Sequence, residues 1–181
     1  GVTRGAVAAH LGRHYIGYDL SPTQVNANHQ VAAPLAAGWP GTATWHTADS
    51  TAGLPLADQS ADYILTCPPY HTAERYSDDP RDLSVMDWDQ HLDAVRRVAS
   101  DCHRVLRDDR FITWVVGDLR GPSGHLRCLP EHTVAALTAA GFQPVNHQIL
   151  TTPVGSTYRM LRRWWTNTRS AGRIHQHVWT L

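Results

Sequence analysis

Short apolar strands alternate with helices along most of this chain, and that alternation limits the fold more than any other feature of the sequence. Residues 3–11 read as a short helix and Tyr15–Asp19 as a buried strand. Ser21, followed by Pro22 at the first helical position, opens a helix through about Leu35. Ala43–Thr47 is strand-like, and Ala61–Thr66 is a nearly continuous apolar strand. From Trp88 to Leu106, Leu92, Val95, Val98, Cys102 and Val105 recur at helical spacing. Phe111–Val116 reads as a buried strand, and Cys128–Ala140 as a helix stopped by Gly141. Phe142–Thr151 and Ile174–Trp179 are two final strands. Residues 71–86 are polar and aperiodic, which predicts a loop. The pattern predicts an α/β domain with a mostly parallel sheet, helices on both faces and an antiparallel last strand. At 181 residues the chain is expected to form one domain, 1–181, with a substantial core.

Ligands bind such sheets outside the carboxyl ends of the strands. Four sequence signals fall at ends of that kind. The first is Gly1-Val2-Thr3-Arg4-Gly5, which reads as the end of a glycine loop able to bring backbone close to a ligand. There is no G-K-[ST] and no lysine anywhere in the chain, which speaks against a nucleotide-phosphate loop. The second and third are Asp19 and Asp49. An acid after the strand that follows a glycine loop commonly holds ribose hydroxyls, and one after the next strand can receive an adenine amino group. Each alone reads first as a turn or cap aspartate. The fourth is Cys67-Pro68-Pro69-Tyr70. Two prolines fix the backbone and push the residues before them to extended conformations. The carbonyls of Cys67 and Pro68 are then rigid acceptors for an exocyclic amino group, with the Tyr70 ring ready to stack on a base. By itself the same stretch is also a plain turn that stops a strand.

The charge is balanced overall but unevenly spread. Residues 151–181 hold five arginines, Arg159, Arg162, Arg163, Arg169 and Arg173, and no acid. Tyr158, Trp164 and Trp165 interleave with them. Such a segment (153–172, read as a hairpin) suits phosphates and stacked bases, or else a hairpin with tryptophans packed inward and arginines in water. The loop 71–86 adds His71, Arg75, Tyr76 and Arg81 as candidate nucleic-acid contacts. Cys67, Cys102 and Cys128 are odd in number and widely spaced, as expected of free thiols in a reducing, cytoplasmic setting. His175 and His177 share one strand face, but two histidines make a poor metal site, and no metal is expected. No apolar run reaches the roughly 18 residues of a membrane span.

The order glycine loop, acid, second acid and then X-Pro-Pro-Tyr resembles the S-adenosylmethionine-dependent amino-methyltransferases. It is most similar to the bacterial and phage DNA methyltransferases that act on adenine N6 or cytosine N4. The stretch TCPPYHTAERYSDDPRDLS is similar to phage-type members, and the tail RIHQHVWTL resembles their last strand. The resemblance implies a Rossmann-like methyltransferase fold with S-adenosyl-L-methionine as cofactor and DNA as partner. It implies that Gly1, Thr3 and Gly5 lie along the methionine part of the cofactor. Asp19 would take the ribose and Asp49 the adenine ring, while Cys67, Pro68, Pro69 and Tyr70 hold the flipped target base, Cys67 also bordering the cofactor. Two departures stand out. Cys67 occupies a position that is usually Asp, Asn or Ser, and a thiol is a weak acceptor. The family's first strand is also missing, so the chain is expected to be an N-terminally truncated fragment, and a homodimer is an open possibility for its assembly.

Other readings remain. The same Pro-Pro-Tyr geometry serves methylation of guanine N2 in RNA or of a protein glutamine. Cytosine-C5 methylation with Cys67 as nucleophile is disfavoured, because Thr66 rather than proline precedes the cysteine. A binding module that keeps the fold without the activity is the remaining alternative.

Overall fold

The computed structural model describes residues 1–151, 165–166 and 174–181. The basic residues Arg159, Arg162, Arg163, Arg169 and Arg173, together with Tyr158 and Trp164, lie outside the described residues. The chain divides into two compact units, Gly1–Pro55 and Leu56–Leu181. The described strands accordingly form a two-stranded and a four-stranded sheet.

In the first unit, helix α1 (Val2–His10), strand β1 (His14–Asp19), helix α2 (Pro22–Ala32) and strand β2 (Thr42–Thr47) follow in order. The strands β1 and β2 pair in parallel, from His14 opposite Thr42 to Asp19 opposite Thr47. Helix α2 begins where the sequence says it should. The Ser21 hydroxyl accepts the Gln24 amide at 3.2 Å, with Pro22 in the first turn. It ends earlier than expected, at Ala32, and a short 3-10 turn covers Ala36–Gly38.

The core of this unit is Val25, Ala32 and Trp45, with Val2, Tyr15, Trp39 and Ala43 packed around it. Two glycines hold Trp45. A Cβ on Gly5 would collide with the indole ring, and one on Gly17 would sit 2.8 Å from the same ring. The predicted loop Gly1–Gly5 is therefore corrected: only Gly1 precedes the helix, and Gly5 is a buried interior residue of α1. Its missing side chain lets the helix press onto the sheet.

The second unit holds strand β3 (Ala61–Thr66), helix α3 (Trp88–Val105), strand β4 (Leu106–Val116), helix α4 (Leu129–Ala139), strand β5 (Asn146–Thr151) and strand β6 (His175–Thr180). The sheet order is β3-β4-β6-β5. The β3–β4 pair is parallel, and β6 runs antiparallel to both β4 and β5, as the sequence predicts for the last strand.

Helix α3 starts in a reciprocal cap. The Asp87 carboxylate accepts the Gln90 amide at 2.9 Å, and the Gln90 side chain accepts the Asp87 amide at 3.2 Å. Its inward stripe is His91, Leu92, Ala94, Val95, Ala99, Cys102 and Val105. Burial raises the Cys102 thiol to about 12, which keeps it protonated and inert.

The helix passes directly into β4, which begins at Leu106 and not at Phe111. The pairing slips between the partners Ala61–Leu106 and Tyr63–Phe111. The intervening Arg107-Asp108-Asp109-Arg110 bulges outward, with Asp109 in the left-handed region. Beyond it, Ile112, Trp114 and Val116 are fully enclosed. Helix α4 ends at Gly141, whose φ of +113° needs a residue without a Cβ. No helix among the described residues is long and apolar enough to cross a membrane.

Candidate active site

In the first unit, β1 and β2 are parallel, so their carboxyl ends share one edge. Asp19 closes β1, where one of its oxygens accepts the Ser21 amide at 2.9 Å. Asp49 follows β2 and caps a 3-10 turn: the same oxygen accepts the Thr51 amide at 2.8 Å and the Thr51 hydroxyl at 2.7 Å. Each carboxylate thus has one oxygen committed to its own turn. The second oxygen of each makes no hydrogen bond among the described residues. The turn role weighed in the sequence is thus what each aspartate plays here, and it leaves the second oxygen outside the turn. Gly1 and Thr3 are exposed at the start of α1, whereas Gly5 is buried against Trp45.

In the second unit, β3 delivers Cys67-Pro68-Pro69-Tyr70 to the carboxyl edge of the β3–β4 pair. All four residues are half-buried, and the peptide bonds that join them are trans. The carbonyls of Cys67 and Pro68 accept no hydrogen bond among the described residues. Buried or half-buried carbonyls are normally paired, so two together, held rigid by prolines, are acceptors in want of a donor.

The Tyr70 ring lies on Gly117, just past the end of β4. A Cβ there would stand 2.9 Å and 3.0 Å from two ring carbons. The Tyr70 hydroxyl is 3.0 Å from the Cys67 sulfur and accepts the Gln176 side-chain amide at 2.9 Å. The ring is thus held on one face and at its tip. Gly117 and Gln176 border this candidate site and were missed by sequence reading. Neither has a local signature, because each meets Tyr70 only through tertiary structure.

After Tyr70 the chain turns sharply. His71 has a φ of +50°, rare for a residue with a side chain, and it is buried. Its Nε2–H donates to the Met86 carbonyl at 3.0 Å. Its ring meets Trp88 and His91 edge-on, and Arg127 lies 4.7 Å over the Trp88 ring. His91 is equally enclosed, with Nδ1–H donating to the Leu83 carbonyl at 3.1 Å and Nε2 left without a partner. Burial lowers the affinity of both rings for a second proton; the Met86 and Leu83 carbonyls oppose this only in part. His71, expected on a nucleic-acid face, instead pins the base of the loop. The reason is its Trp88 and His91 neighbours, which sequence polarity does not reveal.

The other loop residues stay outside. Arg75, Tyr76 and Arg81 are exposed. Arg75 pairs with Asp78, and Arg81 forks onto both oxygens of Asp79 at 3.0 and 2.7 Å. The Arg81 hydrogen bonds hold the Asp79 carboxyl down near 2, and the Glu74 hydrogen bond lifts the Tyr76 phenol to about 12. Asp82, buried inside the loop, accepts from Ser77 at 2.7 Å and from the Ser84 amide at 2.8 Å. Burial works against its charge, and these hydrogen bonds outweigh it, so the carboxyl sits below its usual range. Among the described residues no group of three or more histidines, cysteines or acids comes together to hold a metal ion.

No protein-family model matches the chain. It is 27% identical over 126 residues, 70% of its length, to the type II methyltransferase M.BglII of Bacillus subtilis. It spans about a third of that relative, 31% of its length. Among solved structures, a SAM-dependent methyltransferase from Methanosarcina mazei superposes with a TM-score of 0.60 at 14% identity, covering 95% of this chain and 82% of the other. A Thermus thermophilus protein assigned as a DNA modification methylase superposes with a TM-score of 0.52 at 17% identity, covering 73% of this chain and 48% of the other. The same Thermus protein solved with S-adenosyl-L-methionine gives 0.51 at 16% identity, covering 92% and 54%. At these identities the structural likeness establishes the fold, in agreement with the Rossmann-like expectation.

Proposed function

The chain has the Rossmann-like fold of the S-adenosylmethionine-dependent methyltransferases, and we propose that it moves a methyl group from that cofactor to an exocyclic amino nitrogen of a base in DNA, adenine N6 or cytosine N4. The observation that carries this reading is the pair of unengaged carbonyls at Cys67 and Pro68 beside the Tyr70 ring. An amino group offers two N–H donors, and two fixed acceptors next to an aromatic face match that demand. M.BglII is a type II methyltransferase by name, and the Thermus thermophilus protein of like fold is assigned as a DNA modification methylase; together they favour DNA over RNA or protein as the substrate.

The donor set fits the cofactor. The uncommitted oxygens of Asp19 and Asp49 suit ribose hydroxyls and an adenine amino group, and Gly1 and Thr3 leave the start of α1 open for its methionine part. When bound, the cofactor supplies an electrophilic methyl on a sulfonium. The protein's own residues do the rest. The target base leaves the duplex and stacks on Tyr70. The carbonyls of Cys67 and Pro68 accept its amino hydrogens and so orient the nitrogen lone pair. The nitrogen–carbon bond forms as the carbon–sulfur bond breaks, and the proton, acidic once the nitrogen bears the methyl, passes to solvent. Positioning supplies most of the acceleration. Arg75, Tyr76 and Arg81 are the DNA contacts within the described residues, and the two arginines exchange Asp78 and Asp79 for phosphates. Arg159, Arg162 and Arg163 are assigned the same role on their charge and their aromatic neighbours.

The test is to incubate the protein with methyl-labelled cofactor and unmodified DNA, then identify labelled nucleosides after digestion. N6-methyladenine or N4-methylcytosine supports the reading and names the base. Label in RNA or protein alone would move the substrate class, and no label anywhere would refute the activity.

A further inference from the structure

We infer that His71 and His91 form a latch, which holds the loop 71–86 closed while both rings are neutral and releases it when they take second protons. This goes beyond the proposed reaction and does not depend on it. The two rings meet edge-on with centroids 5.3 Å apart, and each holds one carbonyl at the return end of the loop. His71 reaches across 15 residues to Met86, and His91 reaches back from α3 to Leu83. A carbonyl can only accept, so both tautomers are fixed. His71 carries its proton on Nε2 and His91 on Nδ1. The remaining nitrogens differ. Nδ1 of His71 lies 3.3 Å from the Thr72 hydroxyl, whereas Nε2 of His91 is enclosed without a partner among the described residues. A second proton on His91 would therefore make a buried charge and a buried N–H with no acceptor.

The surroundings favour the neutral rings. His71 is 6% and His91 1% exposed. Arg127 already places a positive charge near His71, and a charged His71 would place one beside His91. Asp87 at the head of α3 pulls the other way, but its carboxylate already accepts the Gln90 amide. His132 of α4 reaches the cluster through Trp88, which it meets edge-on. The buried acid of the loop itself, Asp82, is taken up by Ser77 and Ser84. These last contacts, with the Tyr76 amide donating to the Ser84 hydroxyl at 3.1 Å, hold the loop together as a body. Opening at Leu83 and Met86 leaves them intact. The backbone of His71, at φ +50°, is strained and is held there by its buried ring, so release also relaxes it. The latch thereby sets how the loop presents Arg75, Tyr76 and Arg81.

The experiment follows amide hydrogen exchange in the loop by mass spectrometry from about pH 7.5 to about pH 5.5, corrected for the intrinsic pH dependence of exchange, with β4 as the internal reference. Freeing one histidine to its ordinary value of about 6.5 eases opening about tenfold over that span, and freeing the pair about a hundredfold. Strand β4 is expected to stay protected. His71→Gln keeps an amide N–H where Nε2 stands, His91→Asn keeps one where Nδ1 stands, and neither gains a proton. Each is expected to cut the response to about tenfold, and the double variant to abolish it. Loop exchange that is flat with pH in the wild type, an equal rise in β4, or the full response in the double variant would overturn the inference. Should a variant fail to fold, nitrogen NMR of the histidine rings in the wild type decides. Both rings are expected to gain protons as the loop opens, and rings that stay neutral while it opens would overturn the latch.

Discussion

Gly117→Ala is the sharpest test of how the Tyr70 ring is held. The added Cβ would lie 2.9 and 3.0 Å from two ring carbons, where ordinary contact begins at 3.4 Å. The ring must therefore retreat by about half an ångström, or the strand end must move by as much. The backbone itself raises no objection, because Gly117 is not among the residues with positive φ. If the ring moves, stacking geometry suffers. Misplacement by 1 Å costs about a hundredfold, so half of that corresponds to about tenfold in kcat, or roughly 1.4 kcal/mol. If the ring stays, overpacking costs about 1–3 kcal/mol of stability. Against either stands a gain of about 0.4–1 kcal/mol, because alanine restricts the unfolded chain. Turnover and denaturant unfolding of Gly117→Ala, alone and with Tyr70→Ala, resolve these terms. The variant is expected to lose turnover or stability with the ring present. With the ring removed only the unfolded-state gain remains, so the same substitution becomes slightly stabilising. Wild-type turnover and stability in the single variant, or an equal loss in both backgrounds, would refute the ring contact.

Further outcomes are expected elsewhere. Gly5→Ala puts the better helix former into α1, worth about 1 kcal/mol on propensity, yet it drives a methyl into Trp45. A net loss of about 1–3 kcal/mol in denaturant unfolding is expected, and a gain would show that α1 does not press on Trp45. His71 and His91 have lowered proton affinities in the folded protein. Their contribution is present above the unfolded value of about 6.5 and is lost as pH falls through the folded values. Unfolding measured against pH is expected to show falling stability below that point, and His91→Phe to flatten the curve. Cys67→Ser is expected to retain transfer to the amino group, since a backbone carbonyl does the accepting; complete loss, together with 5-methylcytosine in the wild-type product, would instead mark the thiol as a nucleophile.

What the sequence made legible was what short-range chemistry decides. Strand β3 runs from Ala61 to Thr66 as its apolar run predicts, and Ser21-Pro22 marks the start of α2. The inward stripe of α3 matches the predicted Leu92, Val95, Cys102 and Val105, with Val98 half-buried beside it. The early start of β4 was hidden because Arg107-Asp108-Asp109-Arg110 carries four charges and no apolar residue between the predicted helix and strand. Those charges are exposed in a bulge, where Arg107 pairs with Asp62 at 2.6 Å. Gly5 read as a ligand loop because a glycine that admits a ligand and one that admits an indole look alike. His71 and Asp82 read as loop surface because their burial depends on Trp88, His91, Ser77 and Ser84, partners that no periodicity announces. In the site, Cys67–Tyr70 was visible as a motif, whereas Gly117 and Gln176 became visible only once β4 and β6 were laid beside β3.

The outward bulge in β4 also works as a length buffer between the helix before it and the enclosed strand after it. A residue gained or lost between Arg107 and Arg110 enlarges or shrinks the bulge and leaves Ile112, Trp114 and Val116 facing the way they do now. A residue gained within 112–116 would exchange the two faces of the strand beyond it, send the enclosed side chains past that point to the wrong side and carry Gly117 away from Tyr70. The bulge is therefore a place in this unit where a change in length, or a grafted peptide, would leave the edge that carries Cys67–Tyr70 undisturbed.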